Sequence, residues 1–160
     1  MKKILLFDWG NTIMVDFNLP GPMYTWERAA WIPGAEEALK ALSHYTCCIA
    51  TNAGKSGSVA VTKGLAIVGA DKYFPFIFAS HDIGYEKPDP EFFAFILRTL
   101  NAAPSECIMT GDNYEKDIAG AKQAGIQTVF FNRNNSSGYF PMADAIIYRM
   151  EELPSVIERL

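Results

Sequence analysis

At 160 residues, with 49% hydrophobic and 20% charged side chains, the chain has the size and composition of an ordinary globular domain with a real core. A formal net charge of -4 and the lack of any Lys/Arg cluster exclude a general affinity for nucleic acid. No apolar stretch reaches membrane-spanning length, and Asp8 breaks the run in MKKILLF too early for a signal peptide.

Ile4–Phe7 reads as a strand that ends at Asp8. Residues 13–33 follow, with Phe17, Met23, Tyr24, Trp26 and Trp31 set among Pro20, Pro22 and Pro33 and no clean period. This segment reads as a loop packed on the sheet by its own aromatics, or as a lid or partner surface beside a site. Ala35, Ala38, Leu39 and Leu42 recur at helical spacing, and Thr46–Ala50 is the second strand. Cys47 and Cys48 lie inside that strand, Cys107 lies in a later one, and no CxxC spacing occurs. Buried free thiols of a reducing, cytoplasmic setting fit this pattern better than a disulfide or a metal site.

Phe76–Ala79 is the third strand. Asp89 at a cap, Pro90 in the first turn and Glu91 then start a helix carrying Phe93, Ile96, Leu97 and Leu100. Glu106–Met109 and Gln127–Phe131 read as strands on either side of a helix over 114–124, which Gly125 stops. The alternation predicts an α/β fold: one domain over 1–160, built as a three-layer, doubly wound parallel sheet with right-handed crossovers.

In such sheets ligands bind beyond the carboxyl ends of the strands, near the point where strand order reverses. Asp8 follows the first strand, Thr51-Asn52 the second, Lys87 the third and Gly111-Asp112 the fourth. A lone Asp after a strand is usually a turn former or cap, but capping does not explain all four positions together. The set fits phosphoryl transfer to a carboxylate. Asp8 and Asp112 would hold Mg²⁺, Thr51 would donate to a phosphate oxygen, and Lys87 would offset the gathering negative charge. Asp117 would brace Lys87 or a metal-bound water, or else it is an exposed acid at a helix start.

The same residues carry a resemblance. DWGNT at 8–12, ATN at 50–52, EKPDP at 86–90 and GDNYEKDIAGAKQAG at 111–125 resemble, in order, the motifs of the haloacid dehalogenase (HAD) superfamily. Its phosphatases run DxDx[TV], a Ser/Thr, a Lys and GDxxxxD. The resemblance implies a Rossmann-like core and an aspartyl-phosphate on Asp8. It implies phosphate binding by Thr51, Asn52 and Lys87, and Mg²⁺ held by Asp8, Asp112 and the main-chain carbonyl of Gly10. Asp117 and Asn113 would support the metal or the lysine.

Gly10 is the departure, because it stands where family phosphatases carry the second Asp of DxD. A glycine keeps the carbonyl and lacks the carboxyl that protonates the leaving alkoxide and then activates water. Acid/base assistance of that kind is worth ~10²–10⁴-fold, so alkyl phosphates should be slow and acyl or aryl phosphates less affected. Asp16, His81 and Glu86 are the candidate substitutes. Dehalogenases and phosphonate cleavers of this family normally carry a helical cap between the first two motifs, and residues 13–33 are too few for one. An uncapped site accepts a phosphorylated small molecule or a macromolecule, or borrows a second copy of the chain as its lid through the aromatic 17–31 segment.

AGKS at 53–56 lacks the first glycine of a P-loop, no GxGxxG follows a strand, and His44 and His81 have no metal-ligand spacing. A phosphorylation-switch receiver domain uses the same residue types in a different order. The remaining alternative is a catalytically impaired HAD-like protein that binds a phosphorylated ligand or a protein partner.

Overall fold

Strand and helix alternate along the chain, and every strand runs parallel to its neighbours. The computed structural model describes residues 3–160. Its elements are β1 (Ile4–Phe7), α1 (Ala35–Ala41), β2 (Thr46–Thr51), α2 (Ser58–Ile67), β3 (Phe76–Ala79), α3 (Ser80–Ile83) and α4 (Pro90–Leu100). There follow β4 (Cys107–Gly111), α5 (Gly120–Gln123), β5 (Gln127–Phe131), β6 (Ala145–Ile147) and α6 (Leu153–Arg159). The sheet order is β3-β2-β1-β4-β5-β6, so the direction of winding reverses between β1 and β4. That seam is where a ligand site is expected.

Burial on both faces explains the continuous apolar runs of the strands. Leu5, Phe7, Cys47 and Ile49 point to one face, where they pack with Leu39 of α1, Leu65 of α2 and Ile157 of α6. Leu6, Cys48 and Ala50 point to the other, against Phe92, Phe93 and Ile96 of α4 and Ala121 of α5. The three free thiols lie inside this core, and burial pushes Cys47 and Cys48 up to about 12 and Cys107 up to about 11.

Several element ends differ from the sequence reading. β2 runs on to Thr51 and β4 runs from Cys107 to Gly111, because ladder pairing carries polar Thr51, Thr110 and Gly111 into the sheet. Short β6 adds a sixth strand. The helix expected over 114–124 is wound as a π-helix over Tyr114–Ala119 before becoming α-helical. Asp117 through Ala121 are all buried there, and wide turns of this kind recur at functional sites.

The irregular 13–33 segment is pinched at its base. Val15 N–H donates to Ala30 O at 2.9 Å and Ile32 N–H to Ile13 O at 2.9 Å, with Met14 bridging Trp31. Ile13 and Met14 are fully buried, and the Trp31 indole donates to Val68 O at 3.1 Å. Its base therefore packs into the core. The tip, with Gly21, Pro22, Met23 and Trp26, turns toward the carboxyl ends of the strands and lines the cavity there.

Candidate active site

Asp8 leaves the end of β1 with its N–H bonded to Thr110 O of β4 at 3.0 Å, directly on the reversal seam. Lys87 reaches the same point from the loop after α3. Its ammonium donates to Asp8 Oδ1 at 2.9 Å, Asp117 Oδ1 at 2.7 Å and Ala50 O at 2.7 Å. With Lys87 only 2% exposed and Asp117 1%, this is a buried ion pair extended to a third acceptor. Burial alone works against the ammonium charge. The adjoining carboxylates of Asp117 and Asp8 outweigh it and hold the lysine above its ordinary range.

Asp117 is committed on both oxygens, since Oδ2 accepts the Asn113 N–H at 3.0 Å. Asn113 in turn accepts Lys116 N–H at 2.9 Å through its side chain and so fixes the start of the helical turn. Gly111 is required beside it, because a side chain there would collide with the Asp117 carboxylate. Asn52 brackets the Lys87 peptide from both sides, donating to Lys87 O and accepting Lys87 N–H, each at 2.8 Å. Asn52, expected as a phosphate contact, has its amide oxygen and one amide N–H engaged in holding the lysine's main chain.

Asp112 completes the cluster. Its Oδ1 accepts from Thr12 Oγ1 at 3.3 Å, a contact between positions 100 residues apart that no local signal announces. Asp8, Asp112 and Asp117 offer carboxylate oxygens all within 4.8 Å of one another. Burial first, and then the Asp8 charge beside it, pushes Asp112 up to about 7. The same causes push Asp117 up to about 6 against the opposing pull of Lys87. Three acids facing one ammonium leave the site with surplus negative charge.

These groups line a cavity of about 420 Å³ together with Gly10, Thr51, Lys116 and the tip of the 13–33 segment. Every site residue read from the sequence reaches it: Asp8, Gly10, Thr51, Asn52, Lys87, Asp112, Asn113 and Asp117. Of the three substitute acids, Asp16 lines this cavity, whereas His81 and Glu86 line a separate cleft with Ser80 and Tyr85. Thr12, Lys116 and the carbonyl of Ala50 were given no role in the sequence reading, although all three lie inside the motifs and Thr12 fills the [TV] place of DxDx[TV].

The family model for haloacid dehalogenase-like hydrolases matches residues 24–125, more than half of the chain. The chain belongs to the haloacid dehalogenase-like hydrolases. Among curated HAD relatives, the ribulose-1,5-bisphosphate 5-phosphatase of Halopiger xanaduensis is 32% identical over 74% of this chain and 49% of its own length. The glyceraldehyde 3-phosphate phosphatase of Methanopyrus kandleri is 35% identical over 63% of this chain and 49% of its own. The chain thus spans about half the length of the curated relatives it matches. An uncharacterised protein from Listeria monocytogenes serotype 4b shares the fold with a TM-score of 0.86, at 23% identity over 98% of this chain and 97% of that one.

Proposed function

We propose that the chain is a Mg²⁺-dependent phosphatase that forms an aspartyl-phosphate on Asp8 and takes phosphorylated small molecules, as the names of its relatives suggest. The observation that carries this reading is the Lys87 ammonium fixed between Asp8 and Asp117 with Asp112 alongside, at the sheet's reversal seam. The donor set fits a hard divalent cation. It is all oxygen, it carries more negative charge than Lys87 balances, and Asp112 has an oxygen outside its Thr12 bond. Asp8, Asp112 and the Gly10 carbonyl would hold the ion. Bound there, Mg²⁺ supplies neutralisation of the nucleophile and of the phosphoryl oxygens.

The chain's own groups do the rest. Lys87 grips one oxygen of Asp8 and orients the carboxylate for attack on phosphorus. Thr51, at the end of β2, donates its hydroxyl to a non-bridging oxygen. As charge accumulates on the transferring group, the fixed ammonium offsets it without moving. Asp117 and Asn52 act through Lys87, one on its ammonium and the other on its peptide. We also read residues 1–160 as one HAD-like core in which the 13–33 segment takes the place of a cap, so that its tip forms only one wall of the cavity.

Gly10 carries no proton, so substrates whose leaving groups need none, acyl phosphates above all, are within reach of this constellation alone. That residue also favours a second reading, a protein that binds phosphorylated ligands without turning them over. Acetyl phosphate and p-nitrophenyl phosphate assays, with Mg²⁺ or EDTA, on wild type and Asp8→Asn separate the two. Turnover should require both the cation and Asp8. Turnover indifferent to both would reject the mechanism, and tight phosphate binding without turnover would favour the second reading.

A further inference from the structure

A glycine at position 10 leaves a side-chain position open, and the structure shows what borders it. A Cβ built on Gly10 would lie 3.5 Å from Asp16 Cβ and 3.7 Å from Asp16 Oδ2. Asp16 comes from six residues further along the chain, which folds back sharply to deliver it. Ile13 N–H bonds to Trp9 O at 2.9 Å, Asn11 takes a left-handed φ of 59°, and Gly10 bridges Met14. The Asn11 side chain then clamps the turn, its Oδ1 accepting the Asp16 N–H at 3.0 Å and Arg133 Nη1 at 2.8 Å.

The carboxylate itself is oriented. Asp16 Oδ1 accepts the Asn18 N–H at 2.8 Å, while Oδ2 is the oxygen near the vacant position of the Gly10 side chain. Asp16 lines the same cavity as Asp8, Thr51, Lys87 and Asp112. His81 and Glu86, the other acids and bases the sequence offered, do not.

We propose that Asp16 is the general acid and base of this site, supplying from the fold-back turn the carboxyl that Gly10 lacks. The inference rests on Asp8 being the nucleophile, as above. In the first step an oxygen of Asp8 bonds to phosphorus and the bond from phosphorus to the ester oxygen breaks. Its electron pair stays on the leaving oxygen, which takes the proton of the Asp16 carboxyl and departs as an alcohol. In the second step the Asp16 carboxylate takes a proton from water as the water oxygen bonds to phosphorus. The bond between Asp8 and phosphorus breaks, its pair returns to the Asp8 carboxylate, and inorganic phosphate leaves with Asp16 again protonated.

The test compares wild type with Asp16→Asn in Mg²⁺, using phenyl phosphate and p-nitrophenyl phosphate, which differ chiefly in how much the leaving oxygen needs a proton. Release of phenol in the first turnover should slow by ~10²–10⁴-fold, and that of p-nitrophenol by less than ~10-fold. After exposure to acetyl phosphate, intact-mass spectrometry should find a long-lived phosphoryl group on Asp16→Asn, because water is no longer activated. Gly10→Asp added to Asp16→Asn should restore phenol release, as the carboxyl returns from the other side of the same space. Equal slowing on both esters with no trapped phosphoryl group would overturn the inference by showing a structural role, and unchanged rates would overturn it outright. Turnover of acetyl phosphate that persists undiminished in Asp8→Asn would overturn the nucleophile assignment itself, which distinguishes the two failures.

Discussion

Asp112→Asn should stabilise the metal-free protein while destroying its response to Mg²⁺. Burial and the neighbouring Asp8 charge hold the Asp112 carboxyl at about 7 against an ordinary 3.8. The folded state therefore binds this proton more tightly than the unfolded chain does. Its contribution to stability is intact below the unfolded value and is lost as pH rises toward the folded one. A gap of about three units corresponds to a ceiling of ~4 kcal/mol at pH 8, with relaxation of the site bringing the realised gain to ~1–3 kcal/mol. Asparagine keeps an oxygen for the Thr12 hydroxyl, so that hydrogen bond is retained. Urea unfolding in EDTA at pH 8 and pH 5 measures the effect. The variant should be the more stable protein at pH 8, with its advantage falling to roughly half or less at pH 5. In saturating Mg²⁺ the order should reverse. A variant less stable than wild type in EDTA at both pH values would refute the claim that the acids of this site repel one another.

Proton competition at Asp112 gives a related expectation: Mg²⁺ affinity should weaken as pH falls from 8 to 6, with proton release on binding visible by calorimetry in buffers of different ionisation enthalpy. An affinity independent of pH would contradict it. Lys87→Met should leave two carboxylates without their cation, costing ~3–5 kcal/mol in denaturant titrations and abolishing turnover. For Asn52→Ala, loss of the bracket on the Lys87 peptide should lower kcat with little change in KM, whereas a direct phosphate contact would raise KM. Finally, a thiol reagent should find Cys47, Cys48 and Cys107 unreactive in the folded protein and reactive in urea, given their burial and raised thiol values.

The parts of the fold that were legible in the sequence are those whose local and tertiary requirements coincide. β1, β3 and β5 end where their apolar runs end, and α4 starts at an Asp-Pro-Glu signal that the structure uses, with Asp89 accepting the Glu91 N–H. α2 was not legible. SVAVTKGLAI is rich in β-branched residues and contains Gly64, and it is helical because Val61 and Leu65 pack on the sheet. β6 offers only AII, too short a run to stand out.

The site divides in the same way. Asp8, Thr51, Lys87 and Asp112 each follow a strand or its loop, so a parallel topology gathers them at one edge. The Thr12–Asp112 bond and the approach of Asp16 to Gly10 depend on a turn whose left-handed residue is an asparagine. Nothing in the spacing of DWGNTIMVD reveals that its last acid folds back beside the position of its missing second one.

Crystals grown with Mg²⁺ and beryllofluoride, a mimic of a bound phosphoryl group, would test the central claim most directly. The account predicts the beryllium bonded to a carboxylate oxygen of Asp8, within reach of Thr51 and Lys87, and a cation shared by Asp8 and Asp112. Beryllofluoride on any other residue, or a cation that leaves Asp8 and Asp112 untouched, would contradict it.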